Sequence, residues 1–221
     1  MHFSREWDER YRANTHLSIW PWSDMVSYVM RYARPEAPDY RVLEIGCGAG
    51  ANIPFFKNLG VQYFAIEGSE TIVTKLREQF PEFKGNIVID DFTRNIPFLG
   101  SFDLIVDRAS MTHNCSDAIK QGLAIAFDKL TSGGKYIGID WFSTAHSEYQ
   151  RGEPGEDRFT RCGYIDGQFA FLGRVHFSDK SHLQKLFESF IIEILEHKVV
   201  YREIPPGSYT AAFWNLVARK D

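Results

Sequence analysis

The stretch RVLEIGCGAG, residues 41–50, constrains this chain more than any other. Val42, Leu43 and Ile45 read as a short buried strand, and glycines then stand at positions 46, 48 and 50. A strand that turns sharply into a helix needs residues that accept positive φ, and backbone free of side chains lets a ligand lie against it. Glu44 puts an acid inside that strand, which costs stability unless something uses it. A carboxylate beside a Gly-rich loop suits a ligand with an ammonium group and hydroxyls. A pyrophosphate would be repelled by it.

Around this point, strands alternate with helices. The pattern predicts a helix over 23–34, with Ser23 as its cap and Pro35 as its stop, then a strand at 41–46 and a helix from about 50 to 58. FAIE (64–67) is a second strand, followed by a helix capped at Ser69 that turns Ile72, Leu76 and Phe80 inward. NIVID (86–90) and FDLIVD (102–107) are the third and fourth strands, the latter apolar on successive residues and so buried on both faces. A helical stripe of Ile119, Leu123, Phe127 and Leu130 ends at Gly133-Gly134, and KYIGID (135–140) is a fifth strand. This alternation implies a parallel, doubly wound sheet.

The rest of the chain breaks the rhythm. Residues 141–178 read as a long loop or small insertion that shapes the acceptor pocket, with His176 opening a helix near 179–189. Two strands at 190–202 and 211–220, joined by IPPGSYT, suit an antiparallel hairpin. The fold expected is a single α/β, Rossmann-like domain over 1–221, with a mostly parallel seven-stranded sheet and a C-terminal antiparallel hairpin. Residues 1–40 form an N-terminal lid or helical extension.

Composition narrows the partners. A net charge of −4, with no basic run longer than two residues, argues against a nucleic acid held by phosphate neutralisation. Cys47, Cys115 and Cys162 are odd in number and widely spaced, which suggests reduced thiols in the cytoplasm and no zinc or other metal site. The charged start lacks the form of a secretory signal, and no apolar run is long enough to span a membrane.

The loop alone leaves its ligand open. GCGAGA also fits a dinucleotide fingerprint, with Ala51 as the third small residue and Glu67 about 20 residues on, and a tight turn without ligand is a third reading. Glu44, the lack of a second domain and the closing hairpin weigh against the dinucleotide.

Taken in order, the blocks VLEIGCGAG, FAIEGSE, IDDF, FDLIVDRASMTHN, LTSGGKYIGID and FWNLVARK resemble the class I S-adenosylmethionine-dependent methyltransferases. The N-terminal WDERY is similar to the opening of small-molecule members of the thiopurine and tellurite-resistance type. The resemblance implies S-adenosyl-L-methionine as cofactor, with Gly46, Cys47 and Gly48 against its methionine part and Glu44 near its ammonium. It implies that Glu67 and the adjoining Gly68 meet the ribose, and that Asp91, rather than Asp90, takes the adenine amino group under the cover of Phe92. Asp107 and Arg108 lie at the end of the fourth strand, where Asp107 either lines the site or pairs with Arg108.

Methyl transfer from a sulfonium is an in-line displacement, so alignment in a closed pocket carries most of the catalysis. A protonated nucleophile also needs a base. His113 is the candidate, with Asp140 and His146 next, while a structural role for His113 is an equal reading. Trp141, Phe142, Tyr149, Trp7, Tyr11, Trp20 and Trp22 are candidate walls of the acceptor pocket. Arg151, Arg158 and Arg161 either bind an anionic acceptor or belong to a solvated surface with their neighbouring acids. The leading function is methyl transfer to a small molecule, a metabolite or activated sugar. The alternatives are a non-catalytic cofactor-binding subunit and a nicotinamide-dependent oxidoreductase, the latter lacking a YxxxK pair.

Overall fold

A computed structural model describes residues 5–221. The chain enters through two helices, α1 (Arg5–Arg12) and α2 (Ser23–Tyr32), and then alternates. β1 (Arg41–Ile45), α3 (Ile53–Leu59), β2 (Gln62–Glu67), α4 (Glu70–Gln79) and β3 (Ile87–Ile89) form one half. β4 (Phe102–Arg108), α5 (Ser116–Lys129) and β5 (Leu130–Phe142) form the other. Three short strands follow, β6 (Glu153–Pro154), β7 (Thr160–Cys162) and β8 (Val175–His176). α6 (Lys180–Leu186) then leads to the long strands β9 (Ile191–Tyr201) and β10 (Thr210–Arg219).

Seven strands share one sheet in the order β3-β2-β1-β4-β5-β10-β9. β1 pairs in parallel with both β2 and β4, so the winding reverses between β1 and β4. β10 runs antiparallel between β5 and β9, as the hairpin reading expects. Its direction carries its first residues to the edge where the parallel strands end. One face of the sheet packs around Leu43, Ile105, Tyr136 and Phe187, the other around Val42, Tyr63, Val106 and Ile137. Neighbouring positions on β1 and β4 thus point to opposite faces, the strict alternation of a strand covered on both sides.

Three local expectations are corrected. Ser23 does not cap α2: Trp22 holds that position, and its N–H donates to Asn52 Oδ1 at 3.2 Å. The Gly133-Gly134 stop is absent, because α5 ends at Lys129 and the chain passes directly into β5. Pairing with the C-terminus draws that segment into the sheet, Gly133 N–H to Lys220 O at 3.0 Å and Lys220 N–H to Gly134 O at 2.9 Å. His176 does not open α6. It is buried in β8, and Asp179 caps the helix by accepting the His182 N–H at 2.7 Å.

The insertion is more ordered than a loop. β6, β7 and β8 form a small antiparallel sheet with an aromatic core of its own, built on Phe142, Tyr164, Phe169 and Phe177. Among the described residues, no helix is long and apolar enough to cross a membrane and no cluster of side chains could hold a metal ion.

Candidate functional site

A cavity of about 570 Å³ opens at the carboxyl ends of β1 and β4, where the winding reverses. Open α/β sheets bind ligands at this place, because the loops leaving adjacent strands diverge there. Gly46, Cys47 and Gly48 form part of its wall. At Gly46, φ is +63°, and a Cβ there would lie 2.3 Å from Ser110 Oγ. Ser110 Oγ donates to the Gly46 carbonyl at 2.9 Å, tying the loop after β1 to the loop after β4.

Glu67 ends β2 and is 5% exposed, on the cavity wall. Its Oε2 accepts the Gly48 N–H at 2.9 Å and its Oε1 the Ser69 N–H at 3.0 Å. Burial pushes its carboxyl up, and the backbone N–H groups of Ser69, Gly48 and Gly68 pull it back. Three backbone donors take part of its acceptor capacity, and the carboxylate still faces the cavity. Gly68 serves Glu67 through its backbone and does not itself line the cavity.

Glu44 also reaches the cavity, yet both its oxygens are taken, one by Asn52 Nδ2 at 2.8 Å and one by the Tyr63 hydroxyl at 2.6 Å. Burial raises its pKa to about 7 against those two hydrogen bonds. Asp90, Asp91 and Phe92 stand together on the wall. Asp90 uses both oxygens, on the Asp91 N–H and on Asn95 Nδ2. Asp91 spends Oδ1 on the N–H and hydroxyl of Thr93, and its Oδ2 meets only Arg94 at 3.6 Å.

Asp107 neither lines the cavity nor pairs with Arg108. It is fully buried, with Oδ1 accepting the N–H groups of Ser110 and Met111 at 2.8 and 3.2 Å, and Oδ2 accepting Trp141 Nε1 at 2.6 Å. Those three donors shape the bend after β4 from beneath, so the side chain turns inward. Arg108 does line the cavity; it pairs with Asp140 at 2.9 Å, and its guanidinium carbon lies 3.4 Å from the centre of the Trp22 ring.

His113 lies on the cavity wall, edge-on to Trp7 with ring centres 4.9 Å apart. Its Nδ1 is 2.9 Å from the Arg174 carbonyl oxygen, which can only accept. Nδ1 therefore carries the proton and Nε2 is left as an acceptor. Burial lowers the pKa to about 4, so the ring is neutral near pH 7.

Trp7, Tyr11, Trp22 and Phe142 line the cavity as expected, whereas Trp141 and Tyr149 do not, and Trp20 is 77% exposed. His146 sits behind the wall, buried against Phe142, Phe169 and Phe213. Arg151, Arg158 and Arg161 stay away from it: Arg151 pairs with Glu148 and Asp166, Arg161 donates to backbone carbonyls, and Arg158 covers Phe159. The anionic-acceptor reading therefore loses its cations. Sequence reasoning missed Asn52, Ser110, Phe169, Leu172 and Phe213. Phe213 had a signal, since a reversed last strand must begin at the ligand edge. The aperiodic insertion offered none for Phe169 and Leu172.

Residues 42–134 match the family described as "Methyltransferase domain". No curated protein matches the chain. Among solved structures, the chain is similar to an S-adenosylmethionine-dependent methyltransferase from Methanosarcina mazei, at 15% identity and TM-score 0.68, covering 91% of this chain and 98% of that one. One from Clostridium acetobutylicum is 16% identical with TM-score 0.63, covering 99% and 97%. The geranyl diphosphate C-methyltransferase of Streptomyces coelicolor, solved with S-adenosyl-L-homocysteine, is 11% identical with TM-score 0.63, covering 90% and 76%. Residues 42–134 are thus similar to a methyltransferase domain, and the seven-stranded sheet that carries them has the fold of these S-adenosylmethionine-dependent methyltransferases.

Proposed function

We propose that the protein methylates a small-molecule acceptor in the cytoplasm, with S-adenosyl-L-methionine as methyl donor and His113 as the proton acceptor. The observation that carries this is the contact of His113 Nδ1 with the Arg174 carbonyl, which assigns the proton to Nδ1 and leaves Nε2 as the acceptor of a ring that lines the same cavity as the Gly46–Gly48 loop and Glu67. The residues fit the cofactor by their chemistry. Glu67 offers two acceptor oxygens at fixed separation, which suits a vicinal diol. Asp91 keeps one oxygen for an amino group, beside Phe92 as an apolar cover. Gly46 and Gly48 bring backbone without side-chain bulk to the methionine end, and Asn52, held by Glu44, lies there as well.

The cofactor, when bound, supplies a methyl carbon on a sulfonium, a leaving group that needs no acid. What remains for the protein is alignment, exclusion of water and one proton. Trp7 and Phe142, which meet the His113 ring edge to face, exclude water from the wall beside it. His113 takes the proton at Nε2, and the Arg174 carbonyl steadies the resulting imidazolium through Nδ1–H. The net charge of −4 and the absence of a basic stripe support a small molecule over a nucleic acid, and nothing in the sequence calls for a membrane.

The test is His113→Gln, assayed by product mass spectrometry over a panel of small thiols, phenols and amines. Turnover falls by about 10²-fold or more, in the range typical of a lost base. Affinity for S-adenosylhomocysteine stays within twofold. An unchanged rate removes His113 from the chemistry.

A further inference from the structure

We propose that Asp140, together with Trp22, masks Arg108 and thereby sets the acceptor as a flat, apolar molecule that carries no negative charge. This rests on reading the cavity as a methyl-transfer site and names which guest its outer half admits.

Among the residues lining the cavity, Arg108 is the one lysine or arginine. A single guanidinium beside a ligand would ordinarily recruit a carboxylate or phosphate. Here it is spent. Asp140 Oδ2 holds one terminal nitrogen at 2.9 Å, and the Trp22 indole covers the planar face at 3.4 Å. Arg108 Nε is buried without a partner, so that donor is closed to a guest as well. The masking residues are themselves held. Asp140 adopts φ +56°, a left-handed conformation uncommon outside glycine, and its N–H donates to Asn215 Oδ1 at 2.9 Å. Trp22 is held through its N–H on Asn52. The geometry around Arg108 is thus set by two anchored residues rather than left to a mobile surface pair.

Among the described residues that line the cavity, no other lysine or arginine stands beside Arg108. His113 and His16 line the same space, and burial lowers the pKa of both. The remaining ionisable groups on the wall besides the cysteine and tyrosine are acids: Glu44, Glu67, Asp90 and Asp91. An anionic guest would meet those carboxylates with no cation to offset them. What the outer half does offer is aromatic surface. Phe142 and Phe169 meet edge to face at 4.6 Å, and Phe213 and Leu172 continue the wall. Such a surface favours a planar ring by area and by ring-edge contacts.

Two probes sharing one ring system, 2-naphthol and 2-naphthoate, test the assignment by calorimetry on protein saturated with S-adenosylhomocysteine. The expected result is 2-naphthol binding at least tenfold more tightly than 2-naphthoate. In Asp140→Asn, which keeps the shape but frees the guanidinium charge, 2-naphthoate gains at least fivefold while 2-naphthol changes less than twofold. Phe169→Ala weakens 2-naphthol at least fivefold. Equal or tighter binding of 2-naphthoate to the unaltered protein, no gain in Asp140→Asn, or no binding of either probe overturns the proposal. Failure of S-adenosylhomocysteine itself to bind overturns the methyl-transfer reading beneath it, so the two failures are told apart at the first titration.

Discussion

Glu67→Gln isolates the proposed ribose contact with the smallest change of shape. In the native protein one oxygen serves the Gly48 N–H and the other the Ser69 N–H, at 2.9 and 3.0 Å. A glutamine keeps one oxygen and gains an NH2 group. Whichever way the amide turns, its NH2 faces one of those two N–H donors, and one acceptor for the ribose diol is lost. A hydrogen bond to a charged group contributes about 1.5–3 kcal/mol, which corresponds to roughly 10- to 100-fold in affinity. The fold should lose less, about 1–2 kcal/mol, because one of the two backbone bonds survives. Calorimetric titration with S-adenosylhomocysteine reads the first quantity, and urea denaturation of the unliganded protein reads the second. A dissociation constant within threefold of the native value, in a variant that melts normally, refutes the assignment of Glu67 to the ribose.

Asp107→Asn separates support from contact. The variant cannot serve all three of its donors, so it should lose about 2–4 kcal/mol of unfolding free energy while S-adenosylhomocysteine affinity stays within threefold. A stable variant with much weaker cofactor binding would return Asp107 to the site. His146 carries a pH signature. Burial lowers its pKa to about 4, below the value near 6.5 of an unfolded chain, so the unfolded state binds the extra proton first. Its contribution is complete above pH 6.5 and is lost as pH falls towards 4, reaching about 2 kcal/mol at pH 5. His146→Leu should therefore reduce the drop in stability between pH 7.5 and 5 by about that amount, as read by urea titration at the two pH values. An equal drop in both proteins refutes the buried neutral histidine.

How much of this was legible in the sequence follows from the range over which each signal acts. Strands β1, β2 and β4 announced themselves because burial on both faces makes successive residues apolar, with Glu44 the exception inside β1. Ser69 was readable as a cap because its hydroxyl accepts the Ile72 N–H, three residues on. Trp22, by contrast, sits at the start of α2 on account of Asn52, thirty positions away. The inward turn of Asp107 depends on Trp141 in the neighbouring strand, and the pairing of Arg108 with Asp140 on the fact that β4 and β5 end side by side. The small sheet of the insertion was hidden for the same reason. Its two- and three-residue strands hold no period, and their partners are chosen by an aromatic core assembled from distant positions.

That aromatic core has a consequence for how such a protein can change. Phe142 and Phe169 belong to the insertion's own cluster rather than to either layer flanking the large sheet. The residues proposed to grip the donor molecule are anchored in the central strands and the bends that follow them. Change within residues 143–178 would therefore act on the aromatic part of the pocket through Phe169 and Leu172, while Trp22, Arg108 and Asp140 lie outside that segment. Those two parts of the wall are encoded in separate stretches of the chain.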